Sequence, residues 1–186
     1  SEIMEDGSLE GEFTLEAEGQ SDAALRSMFT RSFKSEWDKN LKMNLKDIAP
    51  DLEIIEMSYS KPYNYQENNM KITVKYRIPD FALITENEII FTPVVARELF
   101  KSANSHLYFN PGLEERKYDF RDRCSRLVEL KETIKLPAFK EAVYIPEADQ
   151  IEGKAASFSG GYKIENNQLV LDEKIILKKR KYINGN

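Results

Sequence analysis

The residue types most often used for covalent chemistry are scarce in this chain, which holds one cysteine, Cys124, and one histidine, His106. A nucleophilic pair can be written from them, but it requires the imidazole within hydrogen-bond reach of the sulfur and a third group to orient it. The arginines of Arg121-Asp122-Arg123-Cys124-Ser125-Arg126 favour a lowered thiol pKa. Nothing in the pattern ties His106 to that thiol, so Cys124 reads as an ordinary cysteine and no catalytic residue is assigned. One cysteine and one histidine cannot build a zinc site without carboxylates. The alternating Asp/Asn pattern of a calcium loop is absent, and Glu86-Asn87-Glu88 and Asp119 with Asp122 read as solvated acidic surface. No metal and no cofactor is expected.

Two aromatic clusters carry the more specific chemistry. Tyr59, Tyr63 and Tyr65 fall within YSKPYNYQENN, and Tyr108 and Phe109 follow His106 and precede Asn110-Pro111-Gly112. Rings carried on loops can stack on a sugar or clamp an extended peptide, with Asn and Gln supplying hydrogen bonds. The competing reading is that they pack over sheet edges or against a neighbouring domain. Tyr59, Tyr63, Tyr65, Tyr108 and Phe109 are the candidate ligand-binding residues, and peptide or glycan the candidate ligand.

Strands must position both loops. Ser8 to Glu18 alternates strictly, with Leu9, Gly11, Phe13, Leu15 and Ala17 on one side and four glutamates among the residues of the other. This pattern predicts a half-buried strand. Gly19-Gln20 ends it, and Ser21 or Asp22 is placed to cap a helix. Leu25, Phe29, Phe33, Trp37 and Leu41 then recur every four residues beside Met28 and Leu45, the stripe of one long helix of roughly 18 to 28 residues lying on a sheet, with a possible break near Asn40. Pro50 closes the helical region.

Asp51 to Tyr59 and Asn69 to Ile78 read as two more strands. The second sets Lys71, Lys75 and Arg77 on its wet side, so it should lie beside the glutamates of Ser8 to Glu18, where opposite charges face each other across the ladder. Asn87 to Phe91 predicts a short strand and Val94 to Phe100 a helical turn. A charged turn leads into the strand Ser125 to Leu136, which stops at Pro137, and a short strand from Ala142 to Ile145 follows. Lys154 to Tyr182 predicts a hairpin turning at Asn166-Asn167, with a bulge at Gly160-Gly161. Lys178-Lys179-Arg180-Lys181 reads as protection for an edge strand.

The predicted class is α+β, mainly β: an antiparallel sheet with one long helix on it, followed by a β-sandwich-like half. A weak boundary divides residues 1–92, a strand-helix-strand-strand subdomain, from the β-rich residues 93–186; one compact domain is the alternative. At 186 residues, 41% hydrophobic and 32% charged, the chain can bury a real core and is too apolar for disorder. Its 32 acidic and 27 basic residues are interspersed, at a net charge of −5, so nucleic acid is not an expected partner. No apolar run approaches the ~18 residues of a membrane span, and no signal-peptide pattern is present. A start at Ser1 is consistent with a fragment of a longer protein.

Taken together, DGSLEGEFTLEAEGQSDAALR at Asp6 to Arg26, ENEIIFTP at Glu86 to Pro93, EERKYDF at Glu114 to Phe120 and ETIKLP at Glu132 to Pro137 form a series. It resembles the C-terminal region of secreted bacterial transglutaminase-like proteins, where a β domain, a papain-like catalytic domain and a domain of unknown function follow one another. Gly7 and Gly11, Arg26, Arg116 with Lys117, Phe120, and Leu136 with Pro137 stand at the matching positions. The resemblance implies a periplasmic, surface-attached or secreted setting in a Gram-negative bacterium. It further implies a partner in the upstream transglutaminase-like domain, which carries the catalytic Cys, His and Asp. The expected function is a non-catalytic accessory C-terminal domain that braces the catalytic domain or positions substrate. The alternatives are a free-standing glycan- or peptide-binding β module and an enzyme using Cys124.

Overall fold

Two strictly alternating segments can bury both their apolar sets on one face only if they pair in register, and the computed structural model shows that pairing. It describes residues 1–66, 69–95, 120–121, 125–137, 144–145, 147–154, 156–178 and 181–182. The chain divides into two units, Ser1–His106 with Leu136–Lys140, and Leu107–Lys135 with Glu141–Asn186.

The first unit runs β1 (Glu2–Ile3), β2 (Leu9–Ala17), α1 (Gly19–Thr30), a 3-10 turn (Lys34–Glu36), α2 (Trp37–Lys46), β3 (Glu53–Tyr59), β4 (Met70–Ile78), β5 (Leu83–Ile84) and β6 (Ile89–Ile90). Its sheet has the order β3-β4-β2-β1, antiparallel throughout. As expected, β2 lies beside β4, with Glu10 opposite Arg77, Glu12 opposite Lys75, Glu16 opposite Lys71 and Thr14 opposite Thr73. The basic row also meets β3. Arg77 lies 2.9 Å from Asp6, 3.4 Å from Glu10 and 3.8 Å from Glu53, and Lys75 lies 2.6 Å from Glu56. Each such exposed pair contributes about 0–1 kcal/mol. Register is their larger effect, because a one-residue slip would drive β4's cations into the core.

On the other side of β4, Met70, Ile72, Val74, Tyr76 and Ile78 are buried, and α1 packs over β2 and β4. β3 carries a bulge between Ile54 and Glu56, which leaves Ile55 exposed. β5 and β6 form a two-residue ladder, so the strand expected from Asn87 to Phe91 is confined to Ile89–Ile90.

The single long helix is not formed. The chain breaks at Ser32-Phe33, upstream of Asn40, because three side chains supply what a continuous helix would otherwise provide. Ser32 Oγ bonds back to the Phe29 carbonyl at 3.2 Å, Trp37 Nε1 donates to the Ser32 carbonyl at 3.4 Å, and Glu36 Oε2 accepts the Phe33 N–H at 3.2 Å. Asn40 braces the break from the next helix, its Nδ2 donating to Ser32 Oγ at 3.1 Å. Phe33 is extended (φ −68°, ψ 147°) and 79% exposed, so it leaves the stripe that Leu25, Phe29, Trp37, Leu41 and Leu45 keep buried. Neither Ser21 nor Asp22 caps α1, whose N-cap position is Glu18, without a side-chain bond.

The second unit contains β7 (Phe120–Arg121), β8 (Arg126–Lys135), β9 (Asp149–Glu152), β10 (Ala156–Glu165), β11 (Gln168–Leu177) and β12 (Lys181–Tyr182). Among the described residues the expected sandwich-like half is one antiparallel sheet, β8-β11-β10-β9, with a short β7–β12 ladder. Asn166 and Asn167 take φ of 50° and 63° between paired Glu165 and Gln168, as the hairpin requires.

No bulge marks Gly160-Gly161, where the register with β11 is unbroken. Close approach accounts for both: a Cβ would lie 2.6 Å from the Asp172 carbonyl oxygen at Gly160 and 2.5 Å from Ala148 Cα at Gly161. Lys178 follows an interior strand instead of guarding an edge, and it pairs with Glu152. Lys179, Arg180 and most of the expected helical turn and of the strand Ala142 to Ile145 lie outside the described residues; Tyr144 and Ile145 are not in a strand.

Charge alternates on one face of this sheet, with Glu129 opposite Lys174 and Lys131 opposite Asp172. On the other, Ile134 and Leu171 are buried, and Tyr162 stands in the row Glu132–Leu171–Tyr162. Burial, followed by the charges of Glu132 and Glu173, pushes the Tyr162 phenol up to about 12. The unfolded chain therefore loses this proton first, near pH ~10. Its contribution to stability is complete below that pH and is lost as pH rises to about 12. A spectrophotometric titration should show one tyrosine ionising last, and Tyr162→Phe should remove that step; a late step surviving the substitution would refute the assignment. Asn166→Val places a β-branched residue at positive φ and should cost about 1–2 kcal/mol in urea denaturation.

Candidate functional site

The loop between β3 and β4 carries three of the five candidate aromatics and sends them to two different places. Tyr59, the last residue of β3, packs its ring 4.8 Å from Phe29 and 6.3 Å from Trp37. Its hydroxyl donates to Asp38 Oδ1 at 2.9 Å, and burial together with that bond raises the phenol pKa. Tyr63 lies against Trp37 at 5.9 Å and stays 62% exposed. These two extend the helix-side aromatic cluster. Tyr65 instead lies over the guanidinium of Arg26, whose Cζ is 5.1 Å from the ring centroid. Tyr108 and Phe109 lie outside the described residues, as do His106 and Cys124.

Arg26 is the residue that holds this loop. It is 2% exposed, and α1 places it one turn beyond Asp22, so Nε donates to Asp22 Oδ2 at 2.7 Å. Nη1 spans three loop carbonyls, those of Lys61 (3.3 Å), Pro62 (3.0 Å) and Asn64 (3.0 Å). Asp22 uses its second oxygen to accept the Met70 N–H at 2.6 Å, which fastens the first residue of β4 to the same helix turn. A planar guanidinium can serve a carboxylate, several carbonyls and a ring face at once; a lysine ammonium cannot. Sequence reasoning noted Arg26 only within the family-like series. The available signal was the Asp22–Arg26 spacing of four on a helix.

Beside this staple is an open groove of about 530 Å³, lined by α1, the end of β2, the loop and the start of β4. Four of its lining residues are committed to the scaffold. Asp22 and Arg26 form the staple, Ser60 Oγ accepts the Lys71 N–H at 3.1 Å, and Asn69 Nδ2 donates to Glu18 Oε1 at 3.2 Å. The other four are Glu16, Tyr65, Gln66 and Lys71. Among the described residues their side chains make no hydrogen bond or ion pair, and Tyr65 is 63% exposed. Among the described residues no imidazole stands beside Ser60 to act as base. No group of three or more His, Cys, Asp or Glu among the described residues is placed to hold a metal ion, and no helix there is long and apolar enough to cross a membrane. The lining of the groove is mostly polar, and its residues without a hydrogen bond or ion pair carry an acid, an amide, an ammonium and the Tyr65 side chain.

Removing the staple tests its structural role. Arg26→Met leaves Asp22 and three carbonyls without their shared donor and should cost about 2–4 kcal/mol. Chemical denaturation will measure this, and limited proteolysis should show cleavage within residues 60–66 that the parent resists. Arg26→Lys should recover little of the loss.

No curated protein and no solved structure matches the chain. Residues 87–184 match DUF3858, described as a domain of unknown function with a solved structure. The match covers more than half of the sequence and takes in the strands β6 to β12. The chain belongs to the DUF3858 family of domains of unknown function.

Proposed function

We propose that this chain is a non-catalytic accessory domain of a secreted, periplasmic or surface-attached transglutaminase-like protein, and that it positions substrate for a neighbouring catalytic domain through the groove at Tyr65. The observation that carries the reading is the division of labour among the groove residues. Asp22, Arg26, Ser60 and Asn69 are consumed in fastening residues 60–66 and the start of β4, whereas Glu16, Tyr65, Gln66 and Lys71 line the groove without a hydrogen bond or ion pair. Preorganised, unpaired recognition groups favour binding, since little ordering entropy remains to be lost. The setting rests on the resemblance of Asp6 to Arg26, Glu86 to Pro93, Glu114 to Phe120 and Glu132 to Pro137 to such proteins; the family match over residues 87–184 supports a domain of unknown function there.

A free-standing binding module would use the same groove, so the test must separate the two. The reading frame upstream of the codon for Ser1 should continue into a segment with Cys, His and Asp in transglutaminase-like context. In that full protein, Tyr65→Ala should raise KM about tenfold and leave kcat nearly unchanged, the signature of lost substrate binding away from the reacting atoms. An unchanged KM would sink the positioning role. A frame that opens at a bare leader would leave the groove as the site of an independent module.

A further inference from the structure

We infer that the outer edge of β9 accepts an extended peptide segment of basic character, which adds to the sheet of the second unit as a further strand. The inference is independent of the groove, because β9 lies in the other unit. β9 pairs with β10 through four consecutive residue pairs, from Glu152 opposite Ser157 to Asp149 opposite Gly160, and ends the sheet on that side. All residues from 147 to 154 are exposed. The Gly153 N–H donates to the Ala156 carbonyl at 2.8 Å, so Ile151 and Asp149 likewise turn their backbone groups toward β10. The alternation leaves the N–H and C=O of Gln150 and Glu152 facing outward. Such an edge is a template on which an added strand forms main-chain bonds.

The side chains along the edge select the strand that fits. Ile151 is 58% exposed and stands at the open end of an apolar row, Ile151–Phe158–Ile175–Val128, that crosses four strands. An apolar residue on the partner continues that row and covers Ile151. The same exposed stretch carries three carboxylates, Glu147, Asp149 and Glu152, against one ammonium, Lys154. Glu152 pairs with Lys178, and among the described residues Glu147 and Asp149 form no ion pair. Asp149 Oδ1 instead accepts the Gln150 N–H at 2.7 Å, which satisfies the outward donor locally. A partner's carbonyl can take over that N–H and release the carboxylate to a Lys or Arg of the partner.

Charged side chains guard an exposed edge, but carboxylates repel acidic strands and attract basic ones. A second copy is disfavoured on this ground, since its own β9 would bring the same carboxylates to the junction. β3 in the first unit shows a blunted strand for comparison. It is bulged between Ile54 and Glu56, and its Glu53 and Glu56 are already paired with Arg77 and Lys75. β9 has an unbroken register and contains neither proline nor lysine.

The experiment is an NMR titration of the intact chain with the peptide acetyl-Lys-Val-Thr-Lys-Val-Lys-amide and with its counterpart carrying Glu in place of each Lys. The basic peptide should shift the amides from Asp149 to Glu152 and slow hydrogen exchange at Gln150 and Glu152, whose N–H groups face outward. The acidic peptide should leave them unmoved. Gln150→Pro removes an outward donor and keeps the bonds to β10, so it should weaken binding about tenfold or more. Asp149→Lys should weaken the basic peptide and admit the acidic one. N-methylation of alternate peptide amides, which leaves the protein untouched, should abolish binding for one of the two alternate sets. No response at β9, equal binding of both peptides, or binding that Gln150→Pro and both methylated peptides leave within about twofold overturns the inference. Dimerisation of the chain that Gln150→Pro abolishes would assign the edge to a second copy and overturn the basic partner.

Discussion

A guanidinium with 2% of its surface exposed has to find compensating charge and acceptors inside the protein, because isolated burial of an ion is far too costly. Arg26 meets that constraint with Asp22 on its own helix, three carbonyls of the β3–β4 loop and the face of Tyr65. Asp22 in turn holds the N–H of Met70. Helix α1, the loop and the start of β4 are thus tied through a single buried ion pair, and each of the three groups can relax only if the others are disturbed. The position of the exposed Tyr65 ring follows from this arrangement. Ser60, Tyr65 and Gln66 of that loop line the groove.

A second electrostatic device works on the wet side of the same sheet and has the opposite character. The rows Glu10–Arg77, Glu12–Lys75 and Glu16–Lys71 are exposed, so each contributes little energy, but together with the apolar set of β4 they define one register. The second unit repeats the principle with Glu129–Lys174 and Lys131–Asp172. Buried charge therefore orders the loop at the groove, and exposed charge orders the ladders. The groove lies where the two meet, since Glu16 and Lys71 belong to the ladder, and Asp22 and Arg26 to the staple. That junction explains how a lining rich in charged groups comes to be balanced in sign.

Chemically, the groove combines rigidity with uncommitted polarity. Its hydroxyl, Ser60 Oγ, is spent on the strand junction, and no imidazole of the described residues stands beside it. The helix-side tyrosines are spent as well, Tyr59 on Asp38 and Phe29, Tyr63 on Trp37. Among the described lining residues, Glu16, Tyr65, Gln66 and Lys71 remain without a hydrogen bond or ion pair.

Much of the fold was legible in the residues because its signals are local. Period-two alternation placed β2, β4, β8 and the β10–β11 hairpin, facing charges paired β2 with β4, and two asparagines able to take positive φ marked the turn at Asn166-Asn167. The helical stripe misled, since spacing of four continues through Phe33 although Ser32, Glu36 and Trp37 break the helix there by side-chain bonds that no periodicity reveals. Gly160-Gly161 misled for a related reason: a close backbone approach and a bulge call for the same residue. For the site, the sequence by itself determined that rings and amides lie on the loop after β3. It could not assign three neighbouring tyrosines to two sets of partners, Phe29 and Trp37 for Tyr59 and Tyr63, and Arg26 for Tyr65. That division was decided only by the tertiary structure, because a buried arginine on α1, distant along the chain, had to satisfy its charge, and the loop folded around it to do so.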